Sequence, residues 1–405
     1  MAGDWLETTW GDIAELKYGK AMTAYTDQPN VARVYGTNGP IGWHDTALQP
    51  GPGVIIGRKG AYRGVHYADH PFWVIDTAYY LRPLVPMDLR WSYYWLLNYD
   101  VNNIDDGSPI PSTTREAFGF TPVKFPPLPE QAKIADVLAS LEAKVDANRQ
   151  TAATLEEMAR ALFKSWFVDF DPVHAKAEGR DTGLPADIAA LFPDGCDDEG
   201  LPKGWKQSTV GDLFTIVAGN TPSTKQSAYW GGTRAWATPK DMSGLTGPLL
   251  TRTDRTLTEQ GFAACSSGEI PAMSLLMSSR APVGYLAFNA LPVSINQGIA
   301  AYVEKVLSPF YAWAWCHQNM KLIKLNANGS TFEEISKGVL RTIAMVEPSK
   351  TVHDAFVEIV KTAFSRVVQL AEETENLIDL RDQLLPKLLS GELRVADPET
   401  AIAAA

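Results

Sequence analysis

Residues 57–64 read GRKGAYRG, a stretch in which three glycines set apart Arg58, Lys59, Tyr62 and Arg63. A guanidinium can donate two parallel hydrogen bonds to guanine O6 and N7, Asn and Gln amides match adenine in the same way, and any cation can neutralise phosphate. Further along, Arg234, Lys240, Arg252, Arg255 and Arg280 offer the same groups, and Asn296-Gln297 offers two amides. In this setting these residue types suit recognition. For each cation the alternative is a solvated surface charge, and for the two amides it is a satisfied turn. Bond-making groups are missing by pattern: there is no GxxxxGK[ST], no HExxH and no paired CxxC. The six histidines sit apart, and Cys316-His317 is adjacent rather than at a ligand spacing. Cys196, Cys265 and Cys316 show no pairing pattern, which suits a reducing compartment and a cytoplasmic protein.

The overall charge of −11 speaks against a uniformly basic surface. The acid is not evenly spread. Net charge is −3 over 1–128, −7 over 129–204, +3 over 205–349 and −4 over 350–405. With so little net positive charge the chain alone is expected to hold polyanions weakly. No apolar run approaches the roughly 18 residues of a membrane span, and the start, MAGDWLETTW, has neither a basic nor an apolar signal region.

The elements that position these groups occur twice. Shifted by 200, Trp5, Thr9, Gly11, Asp12 and Gly19 fall on Trp205, Thr209, Gly211, Asp212 and Gly219; shifted by 222, Arg58, Ala78, Tyr80, Trp91 and Gly107-Ser108 fall on Arg280, Ala300, Tyr302, Trp313 and Gly329-Ser330. A constant offset over such a span marks a tandem duplication, with 22 extra residues in the second copy between 220 and 280. Each copy opens with short β-like runs punctuated by Gly and Pro, such as GVIIGRKGAYRGVHYA and VSINQGIAAYVE, and predicts a mixed α and β module.

Each module is followed by a heptad seam. In the first copy it runs Ile134, Leu138, Leu141, Val145, Asn148, Ala152, Leu155, Ala159, Leu162, Trp166; in the second it runs from Phe356 to Leu388 and carries Thr374 and Arg381. Two such helices of about 39 residues, roughly 58 Å long, most simply bury their seams in each other. Asn148 is expected to set register or orientation there, and Gly391 to end the second helix. The predicted organisation is a module over 1–128, a helical arm over 129–170, an acidic Pro/Gly-rich linker over 171–204, a module over 205–349, an arm over 350–395 and a tail over 396–405. The fold class is α+β: two mixed modules separated by two long helices forming an antiparallel intramolecular coiled coil with pseudo-twofold symmetry. Off the seam, Phe163, Phe167, Leu385 and Leu389 read as a docking surface for partner helices, the alternative being that the modules pack there.

The stretch FPPLPEQAKIADVLASLEAKVDANRQTAATLEEMARALFKSWFVDFDPV resembles the central conserved region of type I restriction-modification specificity subunits, and LIDLRDQLLPKLLSGELRV resembles their C-terminal conserved region. LPKGWKQSTVGDL and NQGIAAY (296–302) are similar to further parts of that family. The resemblance implies two target-recognition domains, each reading one half of a bipartite, asymmetric site on double-stranded DNA, with the two helices as a ruler. It implies as partners two modification subunits, which carry S-adenosylmethionine and methylate adenine, and optionally two restriction subunits, which add translocation and cleavage driven by ATP and Mg. The chain itself would bind no cofactor and catalyse nothing. Arg58, Lys59, Tyr62, Arg63, Arg234, Lys240, Arg280 and Asn296 are its candidate DNA contacts. A coiled-coil scaffold carrying two protein-binding modules is the alternative. DFDPV (169–173) lacks the second proline and the aromatic of an amino-methyltransferase Asp-Pro-Pro-Tyr loop, which disfavours a fused enzyme.

Overall fold

The structure, a computed structural model, describes residues 5–60, 62–104, 111–280, 282–328 and 333–395. The Gly107-Ser108 and Gly329-Ser330 match and the tail 396–405 lie outside them. The chain forms two compact units, one of Met1–Asp146 with Glu375–Ala405 and one of Ala147–Thr374. No helix among the described residues is long and apolar enough to cross a membrane.

In the first unit, the strands Ala14–Tyr18, Ala78–Pro83, Gly53–Gly57 and Val65–Ala68 form an antiparallel sheet in that order. The run GVIIG is apolar throughout because it is an inner strand and is buried on both faces. A second, three-stranded sheet has Ala32–Gly36 between antiparallel Gly39–His44 and parallel Phe72–Val74. Leu6–Thr9 pairs with Pro122–Phe125 and so joins the two ends of the module. Thr9 and Asp12 make a reciprocal cap on the turn of helix Trp10–Ile13. That turn delivers Trp10 into a core with Trp91, Phe118, Leu138 and Leu388. The helix Leu89–Tyr99 is started by Asp88, whose carboxylate accepts from the Arg90 and Trp91 amides.

The second unit repeats this plan. Phe214–Ala218, Ile299–Glu304, Leu275–Ser278 and Leu286–Asn289 make the antiparallel sheet, extended by parallel Leu249–Leu250. Trp230–Ala237 lies between antiparallel Arg255–Leu257 and parallel Ser294–Ile295, and Lys206–Thr209 pairs with Ala344–Glu347. Much of the extra length lies where the first unit has a two-residue hairpin turn, 37–38. Here residues 238–254 carry a short helix, Pro239–Ser243, and the added edge strand.

The strand register corrects the sequence alignment by one residue. Ile56 pairs with Val65 and Gly57 with Ala78; in the second unit Met277 pairs with Leu286 and Ser278 with Ile299. All four positions are displaced by 221, not 222. The core faces agree: Val54, Ile56, Tyr79 and Leu81 point inward in one unit, and Leu275, Met277, Ala300 and Tyr302 in the other. A step of one would turn every side chain to the opposite face. Arg58 therefore corresponds to Ser279, and it is Lys59 that corresponds to Arg280. The displacement of 222 returns later, where Phe125 and Glu347 hold equivalent strand positions and Thr114 and Ser336 cap equivalent helices.

The long helices run Leu128–Phe167 and Lys350–Ser390. No seam residue of either is exposed. In the first unit Arg394 binds the Glu130 carboxylate at 2.7 and 2.9 Å and Arg381 lies 3.8 Å from Glu142. In the second, Asn148 donates to Glu373 at 3.0 Å and Phe163 meets Phe356 at 5.8 Å. Partners thus run in opposite directions within each unit. Gly391 ends the second helix at φ 77°, against the Trp5 ring. The stretch 171–204, expected as a linker, is instead folded onto the second unit. It forms helix Asp171–Ala177 and buries Val173 and Phe192, the latter edge-on to Trp166 at 4.9 Å. Its acidic, Pro/Gly-rich composition masks these few apolar anchors.

Candidate nucleic-acid interface

In the first unit the loop 57–64 is tied down at both ends. The Arg58 amide donates to the Thr77 carbonyl, the Thr113 amide to the Arg58 carbonyl and the Gly60 amide to the Pro111 carbonyl. Lys59 is exposed, and Tyr62 extends into solvent with 81% of its surface free. Arg63 is not available: it is 3% exposed and donates to the Ile104 carbonyl at 2.8 Å, the Asn102 carbonyl at 2.9 Å, and to Asn102 Oδ1 and Thr113 Oγ1. Buried guanidinium donors must be satisfied, and here they rivet the loop to Asn102, Ile104 and Thr113 instead of reaching a ligand.

Arg58 donates to the Asp76 carbonyl at 3.1 Å, and its Cζ lies 4.9 Å from the Tyr18 ring centroid. Arg115 reaches the same ring at 4.8 Å. Beside Tyr18, burial and a hydrogen bond with Tyr18 push the Tyr79 hydroxyl up to about 12. On the three-stranded sheet Arg33 lies over Trp43, its direct cross-strand partner, at 4.8 Å, and Trp43 stacks on His70. Tyr18, Arg115 and the Arg33–Trp43 pair escaped the sequence reading. Their partners come from separate strands, and only Arg33 and Trp43, ten residues apart in a hairpin, carried a local signal.

In the second unit Arg234 is held by Glu259 at 2.9 Å and by Glu269 at 2.9 Å, over the Phe262 ring. The Glu259 hydrogen bond raises the Arg234 pKa and lowers that of Glu259. Lys240 is paired with Asp254 at 2.9 Å, in the inserted segment. Arg280 is 3.9 Å from Glu334. Asn296 Oδ1 accepts from the Gly298 amide and Gln297 accepts from Thr221, so both amides serve their turn. Three of the four expected contacts here have local partners for their charge and the fourth supports the backbone. The cation the structure favours is Arg255. It is exposed, with its Cζ 3.4 Å from the Trp230 ring centroid and 5.7 Å from that of Trp236, and it has no ion pair among the described residues.

The expected docking face on the arms is mostly buried. Phe163 (1% exposed) and Phe167 pack with Tyr311 and Phe356 in the core of the second unit, and Leu389 is buried in the core of the first with Leu385 against it. The modules themselves cover these side chains. Cys316 and His317 are likewise internal: burial pushes the thiol up to about 12, and burial followed by Arg160 pushes the imidazole down to about 4. Among the described residues no group of three or more His, Cys, Asp or Glu could hold a metal ion.

Two modules of one topology, each packed with antiparallel stretches of the two long helices and differing in their arginines and aromatics, define a recognition protein built on a duplicated module. The family model for the type I restriction modification DNA specificity domain matches residues 2–157 and again 202–379. The chain belongs to that family. It is a DNA-specificity subunit, which carries the address for a complex and not its chemistry. It is 29% identical over 330 residues to the type I restriction enzyme HindI specificity subunit of Haemophilus influenzae, covering 70% of this chain and 72% of that one. It is 34% identical over 152 residues to the MjaIX specificity subunit of Methanocaldococcus jannaschii, covering 37% and 35%. The crystal structure of a type I restriction-modification S subunit from M. genitalium shares the fold, with a TM-score of 0.63 at 17% identity over 95% of this chain and 96% of that one.

Proposed function

We propose that each module reads one half of a bipartite DNA site, that the two halves differ in sequence, and that the long helices set the spacer between them. One observation carries this reading: the copies share one strand plan, the added edge strand Leu249–Leu250 aside, yet their partly exposed cations and aromatics do not match, as Arg33–Trp43 in one and Trp230–Arg255 in the other illustrate. A shared scaffold with unlike surface chemistry suits two unlike half-sites, where a homodimer would read a palindrome. Among the Arg and Lys positions not spent on local carboxylates, Arg58, Lys59 and Arg255, with Tyr62, are DNA contacts.

In this reading the chain acts in the cytoplasm with two modification subunits, which hold S-adenosylmethionine, and in cleaving systems with restriction subunits using ATP and Mg. The chain binds none of these cofactors. Co-expression with the cognate modification subunits, followed by mapping of methylated adenines, tests it. The expected result is one motif of two unlike parts around a fixed gap. A palindromic or continuous motif would refute the two-module assignment.

A further inference from the structure

Tyr18 ends its strand with 45% of its surface exposed, and two arginines from segments 57 residues apart meet at its ring, Arg58 at 4.9 Å and Arg115 at 4.8 Å. The two cationic carbons therefore lie within about 10 Å of one another. Among the described residues neither arginine has an ion pair; the nearby Glu15 is taken by Lys17 and Arg82. An electron-rich ring face orients both guanidiniums, but it does not neutralise them. We infer that Tyr18, Arg58 and Arg115 form a phosphate clamp that fixes the first module on the DNA backbone.

This deepens the DNA-reading function and rests on it. A backbone phosphate fits better than a base edge. Arginine reads a base best through a free two-pronged edge, and the Nη1 bond to the Asp76 carbonyl leaves Arg58 fewer such edges to present. Two converging cations without a counter-ion instead match the closely spaced charges of one strand. The clamp belongs to the first module alone. The strand and cap equivalences put Ala218, Ser279 and Lys337 at the corresponding positions, so the second copy lacks the ring and both arginines and keeps a single cation, Lys337.

The test uses the full chain with its modification subunits and measures duplex binding by fluorescence anisotropy across a salt series. Arg115→Gln is expected to weaken binding to cognate and non-cognate duplexes by the same factor. It should also flatten the plot of log K against log salt by about one unit, the contribution of one phosphate contact. Tyr18→Ala should flatten it as well. An unchanged slope in a variant with the parental melting curve overturns the clamp, as does a loss confined to one base pair. If Arg115→Gln does not fold, Arg58→Gln reads the same quantity. Absence of any site preference in the parent complex would instead overturn the DNA-reading function itself.

Discussion

At the scale of residues, burial and local partners sorted the candidate cations. Arg63 and Arg58 stand five positions apart in one loop, and nothing in GRKGAYRG separates them. Yet one rivets the module and the other faces outward. Arg63→Ala should destabilise the first unit by about 2–4 kcal/mol, because it removes the guanidinium donors to the Ile104 and Asn102 carbonyls and to Thr113 Oγ1. Urea unfolding followed by tryptophan fluorescence would measure it. Arg255→Ala should relax preference at the half-site read by the second module by about 1–3 kcal/mol, seen as degenerate positions in the methylation motif. Arg234→Ala should leave that motif intact, since its guanidinium is already occupied by Glu259 and Glu269.

His317 gives a pH dependence with a definite sign. Its folded pKa is about 4 against an ordinary value of 6.5, so the unfolded chain takes up the proton first. The stabilisation is complete above 6.5 and is lost as pH falls from 6.5 towards 4, on the order of 2–3 kcal/mol in all. His317→Gln should remove that part of the acid sensitivity in urea titrations at pH 7 and pH 4.5. Equal losses in both proteins would exclude it.

At the scale of elements, the long helices were legible and their off-seam residues were not. The heptad spacing marks the buried seam directly, but Phe163 and Phe167 on a neighbouring face looked like a surface waiting for a partner. They complete the second unit's aromatic core with Tyr311 and Phe356. Phe163→Ala should cost about 3–5 kcal/mol of that unit's stability. Its folded fraction should capture modification subunits as well as the parent does, read by co-purification normalised to folded protein. The linker was misjudged for a related reason: composition averages over 34 residues (171–204) hid Val173 and Phe192, the side chains that decide the packing.

At the scale of the whole molecule, the pair of helices is the feature that both copies share and neither can satisfy alone. Each helix has about 40 residues and is roughly 60 Å long. Deleting one heptad from the middle of both keeps the seam phase and removes about 10 Å of rise from each. The methylation motif should then keep both half-sites and change its gap, or binding should be lost. An unchanged gap would show that the helices do not set it.

The duplication, the two seams, the mixed modules and the absence of catalytic motifs were legible along the chain alone. These depend on spacings along one chain, where periods of 3.5 and 2 residues leave a direct trace. Tertiary structure decided the rest. The hydrogen-bond ladder made Lys59, not Arg58, the equivalent of Arg280, because register follows from which face is buried and a chance identity one residue away carries no such information. Which arginine is interred, which is neutralised and which meets an exposed ring depended on segments that only the fold brings within a few ångströms.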